Sequence, residues 1–208
     1  MVGVSQEYVF KNAIASVGES AVLEDQKGAK TQLYEYLLVI EKDQIVHVLG
    51  EYDWRFAIKT VQLTKSNDPG QNGFTYKYAL PTDCLKLYTD FYQSNNNIRS
   101  SIYATRTKVY GQGVPLAFKV DGRYIHTNLE TIQPITYKYL VNYPDMTLYF
   151  ANVLIKKLAM QVALRVKPTL YAVMRDEYIF SLENAKSEDA KNGEIIARTG
   201  NILLQGNY

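Results

Sequence analysis

The spacing of apolar residues changes twice along the 208-residue chain, and this change constrains the fold more than any other feature. Residues 1–50 and 144–193 place apolar side chains three and four positions apart, which is helical spacing. Residues 51–143 alternate apolar and polar side chains, as strands do. The pattern predicts an α+β fold, with a bundle of helices from both chain ends and an inserted antiparallel β region. Residues 194–208 follow as an extended C-terminal arm of this single subunit.

The first helix has sequence signals at both of its ends. Ser5 is placed as an N-cap, because its hydroxyl can accept hydrogen bonds from the first free backbone N–H groups. Gly18 follows the last apolar position and suits a left-handed C-cap, since it has no Cβ. Gly50 ends a second, longer amphipathic helix in the same way. These signals predict two helices before the β region begins.

Alternation and turn residues divide the middle region into strands. Trp54 and Phe56 alternate with polar neighbours and predict a first strand after Tyr52. Pro81 ends a later strand. Asp121-Gly122 is a hairpin dipeptide that accepts positive φ at both turn positions. The middle region is therefore predicted to consist of antiparallel strands joined by tight turns.

The C-terminal segment is unusually apolar for a chain end. Residues 186–191 are almost wholly polar and predict a helix end that projects from the core or is covered by a partner. Five aliphatic residues follow, and a chain end of this kind is rarely left in water. They are Ile195, Ile196, Ile202, Leu203 and Leu204. Two interpretations stay open: the segment folds back on its own core, or it docks, together with Tyr208, on a neighbouring subunit or a different protein.

Composition excludes several classes of protein. The net charge of +2 argues against a protein held mainly by nucleic-acid phosphates, and Lys156-Lys157 is interpreted as the solvated side of a helix. Cys84 is the only cysteine, which excludes an internal disulfide and a cysteine metal cluster. No stretch approaches the ~20 apolar residues of a membrane span. The 18 tyrosines suit strand packing or contacts between subunits.

No recognisable catalytic or cofactor motif occurs in the sequence. His47 and His126 are the only histidines, and neither stands in a nucleophile or metal motif. The run 111–113 lacks the third glycine of a dinucleotide-binding loop and is interpreted as a turn. We therefore expect a protein that is not an enzyme and that needs no cofactor or metal.

Three short motifs occur in an order that carries a family resemblance. The first is FKNAIASVGESAVL, which includes Gly18 and Glu19. The second is YDWRFA, with Trp54 and Phe56, and the third is LPTDCL, with Pro81 and Asp83. In this order the motifs resemble the tail tubular protein A family, the head-to-tail adaptors of short-tailed bacteriophages. The chain departs from the family pattern at residues 20–21, where proline is frequent, and at Asp53, which replaces a glycine.

The resemblance implies a structural virion protein. Its members form a ring, here expected to hold twelve copies, between the portal protein and the tail nozzle or tail tube. Viral DNA passes through the lumen during ejection without sequence-specific binding. The expected location is the tail or neck of the virion, after synthesis and assembly in the cytoplasm of the bacterial host.

The expected ring assigns contact surfaces to this sequence. The five C-terminal aliphatic residues and Tyr208 are expected to dock on the portal or on a neighbouring copy. The loops with Asn95, Asn96, Asn97 and Gln112 are expected on the tail side. Two alternatives stay open, namely a binding module of another virion or oligomeric complex, and a tail-associated hydrolase whose distant carboxylates meet in the fold.

Overall fold

A computed structural model describes residues 3–23, 31–88, 90–92, 99–101, 118–132 and 134–204, with side chains in 3–23, 31–88, 118–132 and 134–192. The chain divides into two compact units. The helical unit comprises Met1–Phe56 and Val141–Tyr208, and the β unit comprises Ala57–Leu140. Helices and antiparallel sheets are thus both present, which confirms the α+β class.

The helical unit is organised around one central helix. Its helices are α1 (Gln6–Ser16), α2 (Gln32–Gly50), α3 (Leu148–Val166) and α4 (Tyr171–Leu204). Short 3-10 turns lie at Arg55–Ala57, Tyr143–Asp145 and Pro168–Leu170. Helix α3 packs against α1, α2 and α4, and more than half of its residues are buried. The core of this unit therefore lies around α3.

Both predicted ends of α1 are confirmed. The Ser5 hydroxyl oxygen accepts a hydrogen bond from the backbone N–H of Tyr8 at 3.1 Å. Gly18 has a φ of +71°, and its N–H bonds to the carbonyl oxygen of Ala15 at 2.9 Å. The N–H of Glu19 reaches the carbonyl oxygen of Ile14 at 3.4 Å. Together these two bonds form a Schellman motif, which requires a left-handed residue at the position of Gly18.

The β unit contains three small antiparallel sheets in its described part. The strands are β1 (Ile58–Val61), β2 (Tyr76–Ala79), β3 (Cys84–Leu87), β4 (Asp90–Tyr92), β5 (Arg99–Ser101), β6 (Phe118–Asp121), β7 (Tyr124–Thr127) and β8 (Ile135–Tyr139). Their orders are β1-β8-β3, β2-β7-β6 and β4-β5. Strands β1 and β8 are distant in sequence and lie side by side, so the two ends of this unit are joined by a sheet.

The hairpin at Asp121-Gly122 forms with a different turn from the one predicted. Asp121 pairs with Tyr124, so the two loop residues are Gly122 and Arg123. Gly122 has a φ of +56°, and Asp121 and Arg123 have no positive φ. Glycine at the first loop position is typical of a type II′ turn, which needs only one positive φ. The hairpin is confirmed, and the prediction of positive φ at both turn positions is wrong.

The predicted strand over Trp54 and Phe56 is wrong. Trp54 lies outside any strand, Phe56 is in the 3-10 turn Arg55–Ala57, and β1 begins only at Ile58. The rings of Trp54 and Phe56 instead lie 5.2 Å and 5.1 Å from the ring of Phe150 on α3. Trp54 and Phe56 occupy alternating positions because both pack against Phe150, so the alternation does not indicate a strand.

The prediction of an extended arm from residue 194 is also wrong for most of that segment. Helix α4 continues without interruption to Leu204 and is 34 residues long, against 19 residues in α3. The two glycines inside its last part, Gly193 and Gly200, each cost only about 1 kcal/mol relative to alanine. No proline is present there to break the helix.

Candidate assembly surface

Helices α3 and α4 run antiparallel and form a groove along their contact. The Nζ atom of Lys156 lies 2.7 Å from Oε2 of Glu177. Nearer the start of α3, the Tyr149 hydroxyl donates to Oδ1 of Asp189 at 2.8 Å. Residue numbers thus fall along α3 as they rise along α4. The groove (the α3/α4 groove below) lies along the first half of α3.

The α3/α4 groove combines buried and exposed apolar side chains. It has a volume of about 570 Å³. Ile155 is buried, whereas Phe180 is 70% exposed. The remaining lining residues are Tyr149, Asn152, Lys156, Glu177, Ser181, Asn184, Ala185 and Glu188. An exposed phenyl ring beside a groove is the type of side chain that protein partners bury, because aromatic residues supply much of the binding energy of interfaces.

Charged side chains in the α3/α4 groove are paired within the helical unit. Glu177 is paired with Lys156, and Glu188 is paired with Lys191 at 2.8 Å. Partly exposed ion pairs of this kind contribute little to stability, but they reduce the net charge that the groove presents. The groove is therefore suited to an apolar segment with few charges.

Asp189 fixes α4 at one end of the groove. Its carboxylate is 1% exposed and accepts hydrogen bonds from the Tyr149 hydroxyl and from the backbone N–H of Arg55 at 3.1 Å. Burial raises the pKa of Tyr149 to about 12, and the hydrogen bond to Asp189 adds to the shift. The sequence predicts that residues 186–191 are an almost wholly polar helix end that projects from the core or is covered by a partner. For Asp189 this prediction is wrong, because its side chain is buried within the helical unit.

The aromatic motif residues lie beside this contact and pack the helical unit. Trp54 is fully buried, and its Nε1–H donates to the carbonyl oxygen of Val48 at 2.9 Å. Its ring also stacks on Tyr149 with centroids 6.3 Å apart. A buried indole needs such a hydrogen-bond partner. Trp54 and Phe56 therefore act in packing.

The other two motifs are also structural in the part of the chain that is described. Gly18 is the left-handed C-cap of α1, and its carbonyl oxygen accepts from Nζ of Lys167 at 3.3 Å. In the β unit, Asp83 accepts from the Tyr137 hydroxyl at 3.2 Å, and the carbonyl oxygen of Pro81 accepts from the N–H of Cys84 at 3.1 Å. Burial, with the charge of Asp83 as a second cause, raises the pKa of Tyr137 to about 12.

A buried lysine lies between α3 and α4. Lys157 is only 6% exposed, and its Nζ atom lies 4.7 Å from the centroid of the Tyr178 ring. Burial lowers the pKa of Lys157, against the opposing charge of Glu51, and raises the pKa of Tyr178 to about 12. The prediction that Lys156 and Lys157 both lie on a solvated side is therefore wrong for Lys157.

Neither histidine stands in a metal or catalytic arrangement among the side chains described. His126 is buried, and its Nδ1 accepts from the backbone N–H of Gln71 at 3.1 Å. His47 is half exposed, with Nδ1 3.4 Å from Oε1 of Glu51. The described residues contain no group of three or more histidine, cysteine or acidic side chains that could hold a metal ion. Within the same residues, every helix is too short or too polar to cross a membrane.

The predicted contact residues lie at the edge of the described part of the chain or beyond it. The backbones of the five C-terminal aliphatic residues, from Ile195 to Leu204, lie in α4, and their side chains are outside the described part. Tyr208, Gln112 and Asn95, Asn96 and Asn97 lie outside the described residues altogether. Their assignments as docking and tail-side residues stay predictions.

Sequence reasoning missed the groove itself. Tyr178 and Leu182 belong to the apolar stripe of α4 that the helical spacing predicts, and both are buried. Phe180 and its neighbour Ile179, 49% exposed, lie off that stripe. Two large apolar residues outside a buried stripe were the available signal for a contact surface.

No protein-family model and no curated protein matches this chain.

Proposed function

We propose that this chain is a structural subunit of a short-tailed bacteriophage, a head-to-tail adaptor of the tail tubular type. The observation that carries the proposal is an exposed aromatic side chain at a groove of the helical unit: Phe180 on α4 is 70% exposed and lines the α3/α4 groove. Single apolar side chains on a surface are ordinary, whereas an aromatic ring at a groove is typical of a surface that a partner covers.

An adaptor ring requires surfaces of this kind. A closed ring of identical subunits is assembled head to tail, so each copy needs two different, matching faces for its neighbours. Further surfaces are needed for the portal on one side and for the tail nozzle or tail tube on the other. We propose twelve copies, in accordance with the family resemblance, located in the tail or neck of the virion after synthesis in the bacterial host cytoplasm.

The ion pairs of the β unit support passage of DNA without tight binding. Lys65 lies 3.1 Å from Glu130, and Lys77 lies 3.2 Å from Asp68. Lysines that are paired with carboxylates are less available to phosphates, which bind unpaired lysine and arginine side chains. A conduit for DNA must release the phosphates that pass it. The paired lysines therefore agree with a surface that binds DNA phosphates weakly.

The structural motif residues favour an assembly role over catalysis. Trp54, Asp83 and Gly18 all carry the family resemblance, and each has a packing, hydrogen-bonding or capping role in the structure. In a scaffold of this kind, function lies in surfaces that a rigid framework presents.

Co-sedimentation with the portal protein encoded in the same genome tests the proposal. We expect the chain to sediment with assembled portal and to stay in the supernatant without it. A portal protein from an unrelated phage serves as the matched control. If the chain does not bind its own portal while both proteins are folded, the adaptor proposal fails, and a binding module of another complex becomes the better interpretation of the exposed surfaces.

A further inference from the structure

Helix α4 extends beyond the helix that it packs against. The contact between Tyr149 and Asp189 lies at the start of α3, because α3 begins at Leu148. Residues 193–204 continue α4 past this contact. At a rise of 1.5 Å per residue, they extend the helix by about 18 Å. The elements that make the most contacts with α4 are α3 and the short turn Pro168–Leu170, and this last part of α4 is called the α4 extension below.

The α4 extension cannot occupy the α3/α4 groove of its own chain. That groove is lined by α4 residues from Glu177 to Glu188, which precede the extension in the same uninterrupted helix. A helix that continues along its axis moves away from its own earlier turns, so it does not fold back on them while it stays helical. If the extension enters such a groove, the groove belongs to another molecule.

The chemistry of the groove and that of the extension match. The groove presents the exposed ring of Phe180, and its residues Lys156, Glu177 and Glu188 are in ion pairs. The extension has only two charged residues, Glu194 and Arg198. Ile195 and Ile196 are followed after seven positions by Ile202 and Leu203, the spacing of an amphipathic helix that lies in an apolar groove.

We infer that the α3/α4 groove of one copy binds the α4 extension of a second copy. The contact joins two different surfaces, so each copy retains one free groove and one free extension after the first contact forms. Such a heterologous contact produces open chains or closed rings. The contact between copies does not depend on the proposed adaptor function. Only the closure of such contacts into a ring rests on it.

Two complementary variants of the full chain test this contact. Phe180→Asp places a carboxylate in the groove and leaves the extension intact, and Ile202→Asp/Leu203→Asp alters the extension and leaves the groove intact. We expect wild-type chain to self-associate reversibly in sedimentation velocity, and each variant alone to associate at least about tenfold more weakly, because interface hot spots contribute this much. An equimolar mixture is expected to form a dimer and nothing larger, since it contains one intact groove and one intact extension per pair.

The controls separate this contact from misfolding and from other surfaces. Phe180 is 70% exposed, so the Phe180→Asp variant should retain the circular dichroism spectrum and the unfolding midpoint of the wild type. Val39→Asp changes a residue on α2 that is exposed to a similar degree and lies outside the groove, and it should self-associate like the wild type. Loss of association in Val39→Asp to the same degree as in Phe180→Asp would overturn the inference.

Three further results would also overturn it: a wild type that stays monomeric throughout its soluble concentration range, variants that associate like the wild type, or a mixture that stays monomeric. Failure of the adaptor proposal alone gives a different result from each of these. The two variants then complement each other as expected, but the wild-type chain does not bind the portal.

Discussion

The Nζ atom of Lys167 lies 2.9 Å from Oε1 of Glu19, and this ion pair joins the end of α1 to the connection between α3 and α4. The same atom donates to the carbonyl oxygen of Val17 at 3.1 Å, across 150 positions of sequence. The last carbonyl groups of a helix have no partner within the helix, and a cation there also opposes the negative end of the helix dipole. Gly18 lies between Val17 and Glu19, the two residues that Nζ of Lys167 contacts, so its backbone conformation affects both contacts.

Gly18→Ala is expected to destabilise the helical unit. The φ of Gly18 is +71°, and a Cβ in this left-handed conformation costs about 1 to 2 kcal/mol. The added Cβ would also lie 3.6 Å from Nζ of Lys167, which is ordinary van der Waals contact, so the backbone conformation dominates the cost. The free energy of unfolding, measured with urea, should fall by that amount.

Gly50→Ala is the matched control for this substitution. Gly50 is the last residue of α2 and has no positive φ, and a Cβ added there would extend into open space. Alanine is preferred over glycine in helices by about 1 kcal/mol. Gly50→Ala should therefore be neutral or stabilising. Equal losses in the two variants would contradict the assigned role of Gly18.

Asp189→Ala is expected to lower the free energy of unfolding by about 1 kcal/mol, because it leaves two partly buried donors, the Arg55 N–H and the Tyr149 hydroxyl, without this acceptor. Asp189→Asn retains one side-chain oxygen and should cost less. Urea unfolding followed by tryptophan fluorescence suits this test, since Trp54 is the only tryptophan and lies beside Tyr149. Two variants as stable as the wild type would show that the carboxylate does not hold α4.

Lys157→Met is expected to stabilise the protein near neutral pH. Burial lowers the pKa of Lys157, which means that the folded state disfavours its charge, and methionine fills a similar volume without a charge. The gain should be at most on the order of 1 kcal/mol, because the contact of the Lys157 ammonium with the Tyr178 ring is lost. Lys156→Met is the neighbouring control: it removes the ion pair with Glu177, and its expected loss is at most about 1 kcal/mol. A loss of stability in Lys157→Met larger than in Lys156→Met would contradict this account.

Stability is expected to fall as the pH rises above about 10. The pKa of Tyr149 is about 12 in the folded protein against the ordinary value of 10.0, so the unfolded chain releases its phenolic proton first. The free energy of unfolding therefore decreases between these two values, by at most about 1.4 kcal/mol per pH unit for each such tyrosine. Tyr137 and Tyr178 contribute in the same direction.

Tyr149→Phe should make this decrease shallower. The measurement is urea unfolding of wild type and variant at several pH values between about 9 and about 12. Tyr8→Phe is the control, since Tyr8 is 45% exposed and its substitution is expected to leave the slope unchanged. The prediction fails if the slope is the same in Tyr149→Phe and in the wild type.

Local features of the fold were predictable from the sequence, because their causes lie within a few residues. The cap at Ser5 and the left-handed Gly18 depend on neighbours in α1, and the β6–β7 hairpin depends on Gly122. The α+β class followed from spacing that each element shows by itself.

Features that depend on distant residues were not predictable in the same way. Trp54 has strand-like neighbours, yet its position is determined by Phe150, almost a hundred residues later in the chain. Asp189 stands in a polar run, and its burial depends on two donors far away in the sequence, the backbone N–H of Arg55 and the hydroxyl of Tyr149. Lys157 is buried because three helices meet around α3, which its neighbour Lys156 does not reveal.

Electron microscopy of this chain mixed with its own portal protein tests the central claim most directly. The adaptor account predicts a collar with twelvefold symmetry on one end of the portal, with the helical unit of each copy in contact with its neighbours. Bare portals beside unassembled chains, under conditions in which both proteins are folded, would contradict the account.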